Sequence, residues 1–380
     1  MRILADISAV VDPQKTGVGY LAQALVEALA RDPEVDLEGF YFNFLGRNAL
    51  GAEQGLPVYK VTWLPTKVLT FLQKSWSCFP PVRLFVPSAK TFDWIFYPNY
   101  IAYPPPHSAR PTRNVLFIHD TLFLDYPEEG NGWLNKALGK ALKRRPLIIC
   151  NSQATRAAVL RHFPAISPDD ILVIWVPLLP VIESTPDDSI LTQHGLVRDS
   201  YLLFTSSLTT RKIGVLLDAY VQLPADLRQR YPLVLVGAHH GLASAEVIDR
   251  LMQLKAQYPD TRIIATGYID DAQRNALYAG AHLFVHPSLA EGFGMPLLEA
   301  MHFGRTILAS DIEVFHEVAG DDVRYFDPHD ASALCSALTE ELETGRAADP
   351  DRYAEVLRKA TWDEVAASVV DFLKQHAEVG

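Results

Sequence analysis

The stretch Pro287 to Met301 reads PSLAEGFGMPLLEAM and sets two carboxylates, Glu291 and Glu299, on either side of a G-F-G turn in otherwise apolar surroundings. Gly292 and Gly294 let backbone N–H groups approach a ligand closely, and Pro296 fits the first turn of a helix, where its missing N–H costs nothing. A helix starting there turns its positive end toward an anion or electron-rich oxygens. Glu299, about one turn in, can accept hydrogen bonds from paired hydroxyls of a ribose or hexose. The structural alternative is that Glu299 complements the helix dipole and Glu291 is a solvated loop residue.

Three further groups stand where chemistry could occur. In TSSLTTRKIG, Arg211 and Lys212 open a helix after an apolar strand, a place where a fixed cation and free N–H groups could hold a diphosphate. In FIHDTLFLDYPEE, His119 and Asp120 follow the strand Val115 to Ile118, and a histidine there can bond a sugar hydroxyl or phosphate. TGVGYLA, Thr16 to Ala22, satisfies G-x-G-x-x-A through Gly17 and Gly19, but about nine residues part it from the preceding strand, so it reads as a glycine loop and helix start, not a dinucleotide fingerprint. Solvated charges, a packed histidine and a capping aspartate are the bland readings of the first two groups.

The elements that must carry these groups alternate. Strands are expected at Ile3 to Ile7, Trp94 to Tyr97, Asn114 to Ile118, Leu147 to Cys150, Tyr201 to Thr205, Leu233 to Val236, Arg262 to Thr266 and Leu283 to His286. Helices are expected between them, among them Gly19 to Arg31, Trp133 to Arg145, Ile213 to Gln222 and Pro296 to Phe303. Buried strands alternating with helices make parallel sheets in βαβ units, and two such series in 380 residues imply an α/β protein of two doubly wound domains. The Pro-, Ser- and Asp-rich run Val176 to Gly195 is the expected linker, and Thr361 with Glu364 is an expected capping box. Ligands of such sheets bind outside the carboxyl ends of the strands, so a cleft between the two halves is the expected site.

Composition excludes several classes. A net charge of -11 without a long basic run disfavours nucleic acid as the partner. Three scattered cysteines, Cys78, Cys150 and Cys335, suggest thiols in a reducing compartment, and the absence of a signal peptide or a long apolar span suggests a cytoplasmic location. No HExxH, GxSxG or P-loop lysine occurs; Asp349 and Asp351 precede the terminal helices and suit helix capping better than a metal, and the histidines at 239, 240, 282, 286 and 302 read as structural.

Taken in order, TGVG, the HD pair, TTRK, LVLVG, TGYIDDAQRNALYAGAHLFVHPS and EGFGMPLLEAM resemble the retaining GT-B glycosyltransferases of family four over nearly the whole chain, most densely from Thr266 to Asp327. The resemblance implies two Rossmann-like domains facing across a cleft: an acceptor domain, 1–185, on which the last helix, 361–380, packs back, and a nucleotide-sugar domain, 186–360. It implies that Glu299 bonds the donor ribose, Glu291 orients the sugar ring, and Gly292, Phe293, Gly294 and Met295 lend N–H groups. Lys212, helped by Arg211, would neutralise the departing diphosphate, with His119 beside the sugar and Gly17 and Gly19 bordering the phosphates. His119, Glu291 and Lys212 are thus the expected catalytic residues. No metal or other cofactor is expected.

The expected reaction keeps anomeric configuration and moves a hexose, with GDP-mannose the favoured donor, to a glycan or lipid-linked glycan in surface polysaccharide synthesis. An epimerase or phosphorylase on the same scaffold, or a non-catalytic sugar-nucleotide binder, is the alternative. Ser206-Ser207 and Ile213 depart from the family's pattern and put the donor-phosphate contacts in question. Residues 63 to 83, with Lys67, Phe71, Lys74 and Trp76, suit either a peripheral contact with the inner face of the cell membrane or a loop packed on its own domain.

Overall fold

Short apolar runs form the strands of two parallel sheets in a computed structural model that describes residues 1–11, 17–43, 58–62, 92–99, 113–126, 132–237, 242–345 and 348–377. The chain divides into two units, Met1–Leu179 together with Ala360–Gly380, and Pro180–Lys359. Both sheets are doubly wound.

The first unit holds β1 (Arg2–Asp6), β2 (Asp36–Asn43), β3 (Val58–Thr62), β4 (Trp94–Tyr97), β5 (Arg113–Ile118), β6 (Leu147–Cys150) and β7 (Ile171–Val173), in the order β3-β2-β1-β4-β5-β6-β7. Its helices are α1 (Gly17–Arg31), α2 (Leu122–Asp125), α3 (Gly132–Leu142) and α4 (Gln153–His162). Strands β2, β3 and β7 were not among the expected elements. Polar residues interrupt β2, and β7 is too short to show a period.

The second unit is built from α5 (Ser189–His194), β8 (Leu202–Thr205), α6 (Thr210–Gln222), α7 (Ala225–Arg230), β9 (Leu233–Val236), α8 (Leu242–Gln257), β10 (Ile263–Gly267), α9 (Asp271–Gly280) and β11 (Leu283–His286). It continues with α10 (Met295–His302), β12 (Thr306–Ser310), α11 (Glu313–Ala319), β13 (Arg324–Phe326), α12 (Ala331–Thr344) and α13 (Pro350–Leu357). Its strand order is β10-β9-β8-β11-β12-β13. Phe204, Leu216, Tyr220, Leu235, Val285 and Leu338 belong to one buried cluster that packs helices onto the sheet. In each unit the order reverses once, between β1 and β4 and between β8 and β11, and a crevice forms at such a switch point outside the carboxyl ends of the strands.

The last helix, α14 (Trp362–Ala377), lies in the first unit, where Arg31 pairs with Asp363 at 2.7 Å and the Trp362 indole donates to the Leu178 carbonyl at 3.0 Å. Its start is the expected capping box, with Thr361 N–H donating to Glu364 Oε2 at 2.8 Å and Glu364 N–H to Thr361 Oγ1 at 3.3 Å. Asp349 caps α13 by accepting from the N–H groups of Asp351 and Arg352.

The expected linker Val176 to Gly195 is structured instead. It contains a 3-10 turn over Pro180–Glu183 and helix α5, and buries Leu179, Ile182, Ile190 and Leu191. The Asn275 side-chain amide holds this turn by donating to the carbonyls of Val181, Ile182 and Ser184 at 3.0–3.3 Å. Apolar residues at irregular spacing give no period along the chain, although they anchor the segment to the second unit.

One glycine fixes how closely two strand ends approach. A Cβ on Gly237, just beyond β9, would stand 1.8 Å from the Ser206 carbonyl oxygen at the end of β8. Gly237→Ala is therefore expected to cost at least ~1–3 kcal/mol of stability by overpacking, read from the denaturation midpoint. Wild-type stability in that variant would contradict the close approach.

Candidate functional site

At the switch point of the second unit, β8 runs into Ser206 and α6, while β11 ends at His286 and runs into the loop before α10. The short connection from β8 puts Arg211 and Lys212 in the first turn of α6. Thr209 precedes that turn without making a side-chain cap, and its buried hydroxyl has no hydrogen-bond partner. A loop that leaves the head of a helix uncapped leaves its positive end to other acceptors.

Lys212 and Glu291 meet here. The Lys212 ammonium donates to Glu291 Oε1 at 2.7 Å and to Ser206 Oγ at 2.8 Å, with the two charged side chains only 12% and 13% exposed. Beneath them lies His286, fully buried, with Nε2 3.4 Å from Glu291 Oε1 and neither ring nitrogen hydrogen-bonded. Burial alone would raise the Glu291 carboxyl, but Lys212 and the His286 ring outweigh it and hold the group well below the usual carboxylate range. Burial pushes His286 down against the pull of Glu291. Glu291 is consequently a fixed anion and hydrogen-bond acceptor, too weakly basic to collect a proton near neutral pH.

Arg211 stitches the two loops together. Its Nη1 donates to the Ala290 carbonyl at 2.6 Å, and its own carbonyl accepts from Leu289 N–H at 3.2 Å. Gly292, Phe293 and Gly294 are buried just before α10. Gly294 takes φ 105°, which an L side chain rarely adopts, and a Cβ there would stand 2.9 Å from the Phe315 ring. Met295 and Pro296 then open the helix.

Glu299 sits in α10, 9% exposed, and its Oε2 accepts from the Tyr278 hydroxyl at 2.7 Å. Tyr278 projects from α9 and also bonds Thr205 at the end of β8, so one hydroxyl ties the carboxylate to the strand. Burial, reinforced by the Glu299 charge, keeps Tyr278 protonated. The unit thus gathers Arg211, Lys212, Glu291, Gly292, Phe293, Gly294, Met295 and Glu299 around the carboxyl ends of β8 and β11.

Ser206, Thr205, Tyr278 and His286 were missed as site residues. Ser206, within the Ser206-Ser207 departure from the family pattern, is a partner of Lys212, and His286 reads from sequence as structural. Tyr278 and Thr205 lie 73 residues apart and look like ordinary core positions until the strands are paired.

The first unit carries a separate polar row. His119, 6% exposed, follows β5, and its Nε2 lies 2.9 Å from the Pro98 carbonyl; a carbonyl only accepts, so that nitrogen carries the proton. Burial pushes the ring down to about 4 despite this bond. The neutral ring therefore offers Nδ1 as an acceptor, which suits a sugar hydroxyl better than a phosphate. Gly17 and Gly19 fall within the first turn of α1 rather than in a loop. Thr16, Cys78, His239, His240 and residues 63 to 83 lie outside the described residues.

Two members of this row were also missed. Asp6 ends β1 at 5% exposure, accepting from Ser8 N–H at 2.9 Å and Ser8 Oγ–H at 2.6 Å, and Tyr97 ends the adjacent β4 with a buried hydroxyl that has no hydrogen-bond partner. Burial raises the Asp6 carboxyl to about 6, the Ser8 bonds opposing it. Buried, shifted carboxyls at strand ends mark functional sites more often than chance, although capping bonds of this kind also occur in purely structural turns.

Among the described residues no group of three or more His, Cys, Asp or Glu is placed to hold a metal, and no helix is long and apolar enough to cross a membrane.

Residues 189–359 match the family of glycosyl transferases group 1. Over 294 residues the chain is 31% identical to the O-antigen chain mannosyltransferase B of Escherichia coli, covering 73% of this chain and 74% of that protein. The chain belongs to this glycosyltransferase family. It is also 40% identical over 250 residues to the serotype-specific mannosyltransferase WbdA of Escherichia coli, which spans 61% of this chain but only 30% of that longer protein. In fold it is similar to Anabaena Alr3699/HepE, solved in complex with UDP and glucose, at a TM-score of 0.64 and 19% identity, covering 100% of this chain and 99% of that one. The two doubly wound units are those of the GT-B fold, and the protein is a glycosyltransferase.

The Asp6 shift has a measurable sign. A carboxyl raised from 3.8 to about 6 binds its proton more tightly when folded, so its cost is absent below about pH 4 and full above about pH 6. Asp6→Asn should stabilise the first unit by about 3 kcal/mol at pH 7.5 and hardly at all at pH 4, read by calorimetry. An equal effect at both pH values would contradict a buried, strained carboxyl.

Proposed function

We propose that the protein is a retaining hexosyltransferase that moves mannose from GDP-mannose to a glycan or lipid-linked glycan during surface polysaccharide synthesis. The observation that carries this reading is the Lys212–Glu291 pair at the uncapped head of α6, beside the glycine turn and Glu299. The names of the relatives, both mannosyltransferases and one of them acting on O-antigen chains, supply the sugar and the pathway class.

Each group then has a task. The donor diphosphate competes with Glu291 for Lys212, and the start of α6 adds N–H groups and its dipole. Released from Lys212, Glu291 accepts hydrogen bonds from sugar hydroxyls. Glu299, held by Tyr278, takes the ribose hydroxyls, and N–H groups from Gly292 to Met295 border the sugar. Arg211 acts mainly by bracing the Ala290 carbonyl, so that Glu291 and the turn keep their place.

Charge development decides the chemistry. As the glycosidic bond to phosphate breaks, negative charge grows on the diphosphate and positive charge on the sugar. Lys212 stabilises the first, and the Glu291 anion suits the second. With Glu291 engaged by the sugar hydroxyls, the departing phosphate takes the proton of the attacking hydroxyl in this scheme, which favours attack from the same face and retention. Fixed cations and helix dipoles supply the positive charge, so no metal is required in this scheme. His119, in the first unit, keeps Nδ1 as an acceptor suited to a hydroxyl.

Purified protein freed of metals by chelation is tested with GDP-mannose, UDP-sugars and dTDP-sugars, following thermal shift and donor consumption, with the product anomer read by NMR. Stabilisation by GDP-mannose, turnover without added metal and retained configuration are expected. Preference for another nucleotide overturns the donor, turnover restored only by a divalent ion overturns the metal-free scheme, and an inverted product overturns the mechanism.

A further inference from the structure

Sugar transfer through Lys212 and Glu291 leaves His286, the ring against that pair, without a task. His286 ends β11, where its backbone is paired in register with Ala309 of β12, and its side chain is completely buried. Three aromatic rings surround it: Phe204 of β8 at 6.2 Å between centroids, Phe284 of β11 at 5.8 Å and Phe315 of α11 at 4.9 Å. A hydrocarbon ring would fill such a cage at no polar cost. An imidazole there is expensive unless its nitrogens are bonded, yet both are buried without a hydrogen-bond partner among the described residues.

The geometry shows what one nitrogen faces. His286 Nε2 stands 3.4 Å from Glu291 Oε1, the same oxygen that takes the Lys212 ammonium at 2.7 Å. Burial raises the Glu291 carboxyl, but Lys212 and the ring outweigh it and keep the group ionised, so that it can only accept. The nitrogen aimed at it therefore carries the ring proton. Burial keeps the ring itself neutral against the pull of Glu291, and the Lys212 charge acts in the same direction. While Lys212 holds the oxygen, the ring waits just past the usual length of an N–H···O bond.

We infer that His286 is a positioning residue for Glu291: its Nε2–H takes over the carboxylate when the donor diphosphate draws Lys212 away. This rests on the proposed competition between diphosphate and Glu291 for Lys212. A carboxylate 13% exposed that loses its cation is left uncompensated, and a replacement donor a few tenths of an ångström from bonding distance offsets part of that cost. Neutrality matters as much as reach. A cation in the place of His286 would cancel the negative charge that suits the developing positive charge on the sugar, whereas a neutral N–H holds the carboxylate and leaves its charge intact. The three rings fix the direction of Nε2, so Glu291 is aimed as well as retained.

Two measurements test this, and the first needs no donor. Histidine-15N-labelled protein is compared by NMR with Lys212→Met, which removes the ammonium permanently, and with Glu291→Gln. An Nε2-protonated His286 in the wild type is expected, with its proton moving downfield in Lys212→Met as the bond to Glu291 shortens, and without that move in Glu291→Gln. An Nδ1-protonated ring, or an Nε2 proton unmoved in Lys212→Met, overturns the inference whatever the donor is. The second measurement is turnover of GDP-mannose by His286→Gln, which keeps an N–H donor close to the place of Nε2, and by His286→Phe, which keeps a ring that fills the cage. The Phe variant should lose about ten- to a hundredfold in kcat, the worth of a hydrogen bond to a charged group, and the Gln variant much less. Both should bind GDP like the wild type, and the Phe variant should melt no lower. A packing role predicts the reverse order, with the Phe variant near wild type and the Gln variant impaired, and that order overturns the inference. A wild type that does not turn over GDP-mannose overturns the donor reading instead, and the NMR comparison then decides the role of His286 alone.

Discussion

The second unit of this enzyme is organised around one ion pair. Lys212, at the start of the helix after β8, and Glu291, in the loop after β11, are brought to 2.7 Å because β8 and β11 are neighbours at the point where the strand order reverses. Removing one member of a largely buried pair leaves the other uncompensated, at a cost of about 3–5 kcal/mol. The pair holds the two loops at the spacing the site needs, and Arg211 on the Ala290 carbonyl adds a backbone clamp beside it.

That pairing also explains how two charges can wait in an apolar pocket. Each neutralises the other, Ser206 takes another ammonium proton, and the buried neutral ring of His286 lies against the carboxylate without adding charge. In the proposed scheme, diphosphate and sugar present a second set of partners, phosphate for lysine and hydroxyl for carboxylate. Glu299 is held differently, through Tyr278 to Thr205, so its position need not change when the ion pair opens.

Much of this was legible in the chain. The runs WIFY, LIIC, LVLV and LFVH became β4, β6, β9 and β11, because fully buried parallel strands are apolar on both faces. The two glutamates and the glycine turn marked the loop between β11 and α10 by residue type alone. Strand β2 stayed hidden because Asp36, Glu38 and Asn43 break its apolar character, and the buried Glu38 is paired over a long range with Arg2. His286 and Tyr278 stayed hidden for a different reason: a buried histidine or tyrosine looks the same in sequence whether it packs or positions. Asp6 could have been suspected from its place after RILA, since a carboxylate at a strand's carboxyl end is where such sheets bind ligands.

Titration calorimetry with the nucleoside diphosphate and with the matching nucleotide sugar, on wild type, Lys212→Met and Glu291→Gln, tests the ion pair most directly. Loss of Lys212 should weaken both ligands by about ten- to a hundredfold, the worth of a charge-assisted bond. Loss of Glu291 should spare the diphosphate, whose competitor for Lys212 is gone, while turnover of the nucleotide sugar falls. Unchanged diphosphate affinity in Lys212→Met, or equal weakening of both ligands in Glu291→Gln, would contradict the division of labour between the two residues.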